Sequence, residues 1–144
     1  MDFEPRYTPE QEEFRQEVKA WMKENMPAGI VHPADPIDLT EQQYQKRRDF
    51  GRRLGEKGWL WSTAETKYGG GGLDVDHAIV LEEEADAAGL TIPPFYDSGG
   101  RLGGASIAVW GSVEQKEFFL PPIFKGLVRT WQLLSEPEAG SDLA

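Results

Sequence analysis

Apolar residues recur at helical spacing near the start of the chain. One stripe of a helix is formed by four apolar residues at i, i+4, i+7 and i+8: Phe14, Val18, Trp21 and Met22. The run Thr8-Pro9-Glu10-Gln11 just before them is a capping box, with a hydroxyl for the N-cap and a proline at the first helical position. The pattern predicts a first helix that runs to about Asn25 and is stopped by Pro27.

The second predicted helix is basic. It begins at the capping box Thr40-Glu41-Gln42-Gln43 and runs to about Lys57, with Gly58 as its stop. Residues 41–57 carry six basic and three acidic side chains, a local charge of +3, and few apolar ones. We therefore expect most of this helix to face water or a partner.

The third predicted helix is acidic; it follows Asp74 and ends near Gly89. Residues 74–88 carry six acidic side chains and no lysine or arginine, a surface suited to complement the basic second helix. Within it, Glu82-Glu83-Glu84 spreads its carboxylates around the helix, which is typical of a solvated face rather than of a metal site.

A glycine-rich segment follows, from about Phe95 to Trp110. Its glycines are at positions 99, 100, 103 and 104, and each interior glycine costs a helix about 1 kcal/mol relative to alanine, so local propensity argues against a helix. If a helix forms, two of its faces carry no side chain, which permits either tight helix packing or volume for a ligand. The capping box Ser112-Val113-Glu114-Gln115 then predicts a short helix that Pro121 and Pro122 terminate.

The pattern changes from helical to extended after this last helix. Residues 127–134, with Val128, Thr130 and Trp131 among them, predict a strand. A decapeptide with two serines, a proline and a glycine follows it. From the residues alone it is either a strand-to-helix turn, with Ser141 or Asp142 as the next N-cap, or a turn whose backbone amides point at an acceptor.

Composition narrows the class of protein. The chain has 144 residues, enough for one domain with a modest core, and 39% of them are hydrophobic, as in a soluble globular protein. A net charge of −10 repels polyanions, so nucleic acid and anionic membrane surfaces are not expected partners.

Cysteine is absent, which excludes disulfides, thiolate catalysis and iron–sulfur ligation. With no apolar run long enough to cross a bilayer and no secretory signal, we expect a soluble cytoplasmic protein.

Common catalytic and binding motifs do not fit the chain. Gly69-Gly70-Gly71-Gly72 lacks the lysine and hydroxyl of a Walker loop and the last glycine of a dinucleotide fingerprint, and it is more typical of a mobile loop than of an anion cradle. Both histidines, His32 and His77, precede Ser106 of a loose nucleophile-elbow pattern, which is the wrong order for a hydrolase triad. The two histidines also lack metal-ligand spacing, so no metal site is expected.

Three motifs, in order, resemble those of the acyl-CoA dehydrogenase family. The run Ser135-Glu136-Pro137-Glu138-Ala139-Gly140-Ser141-Asp142 is similar to the family signature T-E-P-x-A-G-S-D. Gly58-Trp59 with the later Tyr68-Gly69-Gly70-Gly71-Gly72-Leu73 resembles the G-W…Y-G-G-x-G-L loop. The segment 110–126 resembles the G-T-x-E-Q-K…L-P…x-G segment, and the match covers nearly the whole chain. Glu65 departs from the pattern, because many relatives have proline there.

The resemblance implies a fold and a reaction. The fold is an all-α N-terminal domain of about five to six helices over residues 1–126, followed over 127–144 by the start of a middle β domain. Full-length relatives hold FAD non-covalently and oxidise the α,β C–C bond of an acyl-CoA thioester: a glutamate removes the α proton, and the β hydrogen leaves as hydride to flavin N5. An electron-transferring flavoprotein reoxidises the flavin, and relatives are commonly homotetramers or homodimers. The implied cofactor is FAD, and the implied partners are acyl-CoA, this acceptor and further copies of the chain.

The resemblance also implies site residues. Ser135, through its backbone and hydroxyl, and Leu134 and Gln132, through their backbones, match flavin contacts. Ser141 matches a serine that hydrogen-bonds the thioester ligand near its CoA portion. The glycine-rich segment matches the region that lines the acyl pocket. The catalytic base of relatives lies beyond residue 144, and the motif role of Glu136 is structural, so no catalytic residue is assigned and the chain alone is expected to be inactive.

Two other functions are also compatible with the sequence. A stand-alone helical adaptor would keep the family's shape without its chemistry. An oxidase or monooxygenase relative would share the flavin, and its reactivity with oxygen would be decided outside these residues.

Overall fold

The computed structural model describes residues 6–30, 38–90, 100–130, 133, 135–138 and 140. Within these residues five α-helices follow one another along the chain: α1 (Pro9–Asn25), α2 (Glu41–Lys57), α3 (Val75–Ala87), α4 (Ala105–Trp110) and α5 (Val113–Phe124). A 3-10 turn covers Thr66–Tyr68, and a π-helical turn, Gly100–Gly104, leads directly into α4. The described residues contain no strand, and the predicted all-α class is confirmed. None of the helices described is both long and apolar enough to cross a bilayer.

Side-chain caps begin the helices at the predicted residues. At α1, Thr8 Oγ1 accepts a hydrogen bond from Gln11 N at 3.2 Å, and Gln11 Oε1 accepts one from Thr8 N at 2.7 Å. The same reciprocal box starts α2 at Thr40 and α5 at Ser112, while the Asp74 side chain caps α3. Each cap satisfies backbone N–H groups that the first helical turn leaves without a partner. The predicted starts of these four helices are confirmed.

The larger hydrophobic core joins α1, α2 and α3 with the loop that follows α2. Trp59 is buried within it, with the rings of Phe14 and Trp21 edge-on at centroid distances of 5.8 and 5.2 Å. Edge-to-face pairs of this kind add about 0.5–1.5 kcal/mol each beyond the burial of area. Three helices contribute side chains that are almost completely buried: Val18, Leu54, Leu81 and Ala85. The predicted apolar stripe of α1 therefore does face the core.

A smaller core forms where α5 packs on the loop between α2 and α3. Its buried members come from that loop and from the end of α5: Tyr68, Leu120, Ile123 and Phe124. Trp61 packs against both cores, and its ring centroid lies 5.2 Å from that of Phe124. The loop between α2 and α3 thus joins the two halves of the domain.

The end of α5 differs from its prediction. Pro121 and Pro122 lie inside the helix, which continues to Phe124, so the prediction that they terminate it is wrong. Each proline removes one backbone donor from the helix. The last turn carries Ile123 and Phe124 into the smaller core, and burial of these two side chains offsets the lost hydrogen bonds.

Eleven of the 17 residues of α2 are at least partly exposed, in line with the expectation that most of this helix faces water or a partner. Six residues of this basic helix are buried: Arg47, Arg48, Phe50, Gly51, Leu54 and Gly55. A guanidinium can be buried when its donors find acceptors. Arg48 does so, since its Nη2 donates to the backbone oxygen of Gly126 at 2.9 Å.

The acidic α3 packs chiefly on α1, and among the described residues its glutamates pair with cations of α1, so the predicted complement to the basic α2 is wrong. Arg15 of α1 donates to Glu84 at 2.6 Å and to Glu83 at 2.8 Å, and the hydroxyl of Tyr7 also donates to Glu83. The glutamate run is therefore only partly solvated. Leu81 and Ala85 bring α3 onto the apolar stripe of α1, and this packing decides which cation the glutamates reach.

The described part of the glycine-rich segment is helical, contrary to its local propensity. A Cβ atom on Gly104 would be 3.3 Å from Ile123 Cγ2 and 3.7 Å from Trp61 Cη2, whereas one on Gly103 would meet nothing within 4 Å. Gly104 therefore allows close packing on the smaller core, and that burial offsets its low propensity. Residues 95–99 lie outside the described residues.

Candidate functional site

The segment predicted to contact a flavin follows α5. Its residues 127–130 are described, and they form no strand. Of the predicted site residues, Gln132, Leu134 and Ser141 lie outside the described residues, and their roles stay predictions. Ser135 is the predicted site residue that the structure describes.

The Ser135 hydroxyl is available to a ligand. Ser135 is exposed, and among the described residues no hydrogen bond involves its side chain. Glu136 forms a β-bridge, and the chain then turns at residues 137–138, so that a Cβ atom on Gly140 would be 4.0 Å from Ser135 Oγ. A hydroxyl both donates and accepts hydrogen bonds, which fits the polar edge of a flavin ring, with its nitrogens and carbonyl oxygens.

The glycine run after Tyr68 is not arranged to hold an anion. The amides of Gly70, Gly71 and Gly72 donate to carbonyl oxygens of residues 61–65 at 2.9–3.1 Å. The run also packs tightly, since a Cβ atom on Gly71 would be 2.5 Å from the backbone oxygen of Gly58. These amides are occupied within the loop, and the run serves to bring two stretches of backbone together.

The glycine-rich helix beside this loop offers space on one side. Gly103 has open space where a side chain would be, and Arg101 and Leu102 of the π-helical turn are exposed. On the other side, Trp61 Nε1 is buried and has no hydrogen-bond partner among the described residues. The open side is where a ligand could approach this segment.

Apolar side chains are exposed on both helices of this half of the domain. Trp110 of α4 is 86% exposed and Phe118 of α5 is 73% exposed. Smaller apolar residues on the same two helices are also exposed: Val109 and Val113. Large apolar side chains with this degree of exposure make this half of the domain a candidate contact surface.

Asp74 and His77, which lie away from this surface, stabilise the start of α3. Asp74 accepts from His77 N and from the His77 ring, both at 2.8 Å, and these hydrogen bonds hold the pKa of Asp74 below its usual value. His77 also lies edge-on to Phe14 at 5.1 Å, so the pair caps α3 beside the larger core. Among the residues that the structure describes, no three histidine, aspartate or glutamate side chains converge as a metal site.

Sequence reasoning missed the residues that hold the chain as it leaves α5. Arg48 reaches the backbone of Gly126, and Arg129 Nη1 donates to Tyr44 Oη at 3.3 Å. The signal in the sequence is weak: Tyr44 and Arg48 are one helical turn apart on α2, but charge patterning treats a basic helix as exposed.

The chain is similar to proteins of one family along almost its whole length. A family model described as "Acyl-CoA dehydrogenase, N-terminal domain" matches residues 8–127. Isovaleryl-CoA dehydrogenase, mitochondrial, from Pongo abelii is 33% identical over 135 residues, which are 93% of this chain and 30% of that protein. Acyl-CoA dehydrogenase FadE26 from Mycobacterium tuberculosis is 32% identical over 143 residues, 96% of this chain and 34% of that protein.

A solved structure agrees with the sequence comparison. The crystal structure of the ChsE4-ChsE5 complex from Mycobacterium tuberculosis matches with a TM-score of 0.67 and 30% identity, over 96% of this chain and 33% of that chain. A 3-(aryl)acrylate reductase from Clostridium sporogenes is 28% identical over 109 residues, 76% of this chain and 28% of that protein. The chain thus spans about a third of the length of the curated relatives it matches.

Proposed function

This chain belongs to the acyl-CoA dehydrogenase family, in which it corresponds to the all-α N-terminal domain, and we propose that the protein containing it is an FAD-dependent acyl-CoA dehydrogenase. We propose residues 1–126 as the helical domain and 127–144 as the start of a middle β domain. The proposal rests chiefly on the order of two features along the chain. The family match over residues 8–127 is followed by Ser135, whose exposed hydroxyl opens the run that resembles the flavin-contacting signature.

In this proposal Ser135 orients the cofactor. When bound, FAD would supply the acceptor for the hydride that leaves the β carbon of the acyl group. Ser135 contacts the flavin through its hydroxyl and backbone, and Leu134 and Gln132 contact it through their backbones. Hydrogen-bond donors fixed beside the ring stabilise the negative charge that arrives on reduction. Serine lacks the methyl group that restricts threonine, so this hydroxyl is held less rigidly than in relatives with threonine.

The substrate in this proposal is an acyl-CoA thioester. Ser141 hydrogen-bonds the thioester ligand near its CoA portion, and the open side of the glycine-rich helix at Gly103 faces the acyl group. We assign no residue of this chain as the proton acceptor, so the 144-residue chain alone is expected to be inactive. The expected electron acceptor is an electron-transferring flavoprotein, and the expected assembly is a homo-oligomer.

Exposed apolar side chains support the idea that this domain packs against further polypeptide. Trp110 and Phe118 are large, and both are mostly exposed. Burying a large apolar side chain contributes about 1.5–3 kcal/mol, which is a strong drive toward a contact. A stand-alone adaptor would need a partner for the same surface. The flavin content of the complete gene product distinguishes an adaptor from a dehydrogenase.

The test is the flavin spectrum of the complete gene product. We expect a yellow protein whose oxidised flavin band bleaches when acyl-CoA is added, with acyl groups of different sizes giving different extents of bleaching. A protein that purifies colourless and does not take up added FAD would contradict the proposal and favour an adaptor. Rapid reoxidation by air with peroxide formation would indicate an oxidase or monooxygenase instead.

A further inference from the structure

Four residues of α2 form one stripe along the helix: Tyr44, Arg48, Gly51 and Gly55. They fall at i, i+4, i+7 and i+11 and therefore share a face. All four contact the short stretch 125–129, here called the exit segment, which connects α5 to the proposed flavin-contacting residues.

Glycines let the exit segment lie directly on the backbone of α2. A Cβ atom on Gly55 would be 2.5 Å from the carbonyl carbon of Lys125, and one on Gly126 would be 3.2 Å from the backbone oxygen of Gly51. Gly126 also has a φ of +66°, a conformation that residues with a side chain rarely adopt. Because no side chain separates them, the backbones of α2 and of the start of the exit segment are in direct contact.

Side chains of α2 hold the rest of the exit segment. Arg48 is 7% exposed and donates from Nη2 to the backbone oxygen of Gly126 at 2.9 Å. One turn earlier on α2, the Tyr44 hydroxyl accepts from Arg129 Nη1 at 3.3 Å, and the guanidinium carbon lies 5.6 Å from the centre of the Tyr44 ring. Position 125 contacts the end of α2 and position 129 contacts its beginning, so the exit segment runs antiparallel to the helix.

We propose that this stripe of α2 positions the flavin by fixing the direction in which the chain enters the cofactor-binding segment. Tyr44 and Arg48 are then positioning residues that act through the backbone of the exit segment. Arg129 precedes Ser135 by six residues, which span at most about 20 Å, so a change of direction at Arg129 moves the Ser135 hydroxyl relative to the ring. The inference rests on the proposed function, since it requires Ser135 to contact FAD.

The test titrates the flavin-free complete protein with FAD and follows flavin fluorescence and visible circular dichroism. Tyr44→Phe and Arg48→Met each remove one hydrogen bond that α2 makes with the exit segment. We expect each substitution to weaken FAD binding about threefold to tenfold, and to change the visible circular dichroism of the bound flavin. Arg48→Lys keeps a donor for the Gly126 oxygen, and we expect it to restore most of the affinity.

Two matched variants control for charge and for general loss of stability. Arg52→Met removes a neighbouring arginine of α2 whose Nη1 pairs with Asp49 of the same helix at 2.8 Å. Val18→Ala destabilises the larger core at a residue that is completely buried in α1. We expect both variants to bind FAD with wild-type affinity and an unchanged flavin spectrum.

The outcomes separate this inference from the proposed function. If folded Tyr44→Phe and Arg48→Met proteins bind FAD with unchanged affinity and spectrum, the positioning role is overturned and the proposed function stands. If Val18→Ala weakens FAD binding as much as Arg48→Met does, the effect is general instability, and the positioning role is again overturned. A wild-type protein that binds no FAD overturns the proposed function and this inference with it.

Discussion

Arg15 of α1 donates to Glu84 of α3 across 2.6 Å, and both side chains are nearly buried, at 12% and 11% exposure. The same guanidinium reaches Glu83 at 2.8 Å and lies 4.3 Å from the centre of the Tyr7 ring. These contacts raise the pKa of Arg15, chiefly through its hydrogen bond to Glu84 and then through that to Glu83. Arg15 is therefore the main electrostatic link between α1 and α3, two of the three helices that contribute to the larger core.

Replacing Arg15 with methionine should destabilise the domain. Met keeps much of the apolar volume, but it leaves Glu84 buried without its main partner, which costs about 1–3 kcal/mol. Urea unfolding at pH 7 measures the change in the free energy of unfolding. Arg52→Met is the matched control, because its pair with Asp49 is exposed and should change stability by at most about 0.5 kcal/mol. Equal losses in the two variants would contradict the assigned role of Arg15.

Acid should weaken the contact between Glu83 and its partners. The hydrogen bond from the Tyr7 hydroxyl, followed by that from Arg15, lowers the pKa of Glu83. A carboxyl whose pKa is lowered by folding stabilises the fold above its unfolded-state pKa, and this contribution is lost as the pH falls through the folded-state value. Glu83 is 40% exposed, so solvent screening limits the contribution to less than about 1 kcal/mol.

The measurement is the urea midpoint of wild type and Glu83→Gln between pH 7 and about pH 3. We expect the variant to be less stable than wild type at pH 7, and the difference to shrink as the pH falls. Glu82→Gln, on an exposed neighbouring position, should match wild type throughout. A difference between wild type and Glu83→Gln that stays constant into acid would show that the ionised carboxylate is not what stabilises the contact.

Local sequence signals predict where the helices start. The features that the sequence does not predict depend on packing between residues that are distant along the chain. The hydroxyl of Thr8 and the amide of Gln11 are three residues apart, so their cap is readable from sequence alone. Arg15 and Glu84 are distant in sequence, and no local pattern shows that Arg15, rather than α2, pairs with the acidic helix. Gly104 is a second case: its low helix propensity is offset by contacts with Ile123, which local propensity does not count.

Adding a methyl group at Gly55 should destabilise the domain. The Cβ atom of Gly55→Ala would be 2.5 Å from the Lys125 carbonyl carbon, which is backbone and cannot rotate away. Overpacking of this kind costs about 1–3 kcal/mol. Gly103→Ala is the control: it lies in the π-helical turn with open space around it, so we expect a gain of up to about 1 kcal/mol. Urea unfolding of both variants should give changes of opposite sign.

Of the candidate site, the sequence predicts only the motif that begins at Ser135. The run beginning at Ser135 is readable because its turn residues and hydroxyl stand together in sequence. The contact between Tyr44 and Arg129 joins residues 85 positions apart and depends on how the exit segment lies on α2. A tyrosine and an arginine carry no pattern that identifies them as partners at that distance.

The Ser135 hydroxyl should be a measurable part of FAD binding in the complete protein. Under the proposed function, Ser135→Ala removes one hydrogen bond to the flavin and should raise the dissociation constant for FAD up to about tenfold. Ser135→Thr keeps the hydroxyl and restricts its rotamer, so we expect equal or tighter binding. Fluorescence titration of the flavin-free protein provides both values. Unchanged affinity in Ser135→Ala would remove the hydroxyl from the proposed set of flavin contacts.

Trp110 should promote association of the 144-residue chain without contributing to its stability. Its side chain is 86% exposed at the end of α4, next to the exposed Val109, so the isolated chain presents apolar surface to water. We expect Trp110→Lys to reduce self-association in analytical ultracentrifugation. The free energy of unfolding should change by no more than about 0.5 kcal/mol, as for an exposed position.

The complete protein, unlike the isolated chain, should be destabilised by the same substitution. If α4 packs against further polypeptide, Trp110 is buried there, and a lysine at this position would bring a charge into an apolar contact. We therefore expect Trp110→Lys to lower the melting temperature of the complete protein, although it leaves that of the isolated chain unchanged. Gln115→Lys, which makes the same change of charge at an exposed polar position of α5, should leave both unchanged. Equal melting temperatures for wild-type and Trp110→Lys complete proteins would mean that this apolar surface stays exposed there, and the proposed packing of α4 against further polypeptide would be wrong.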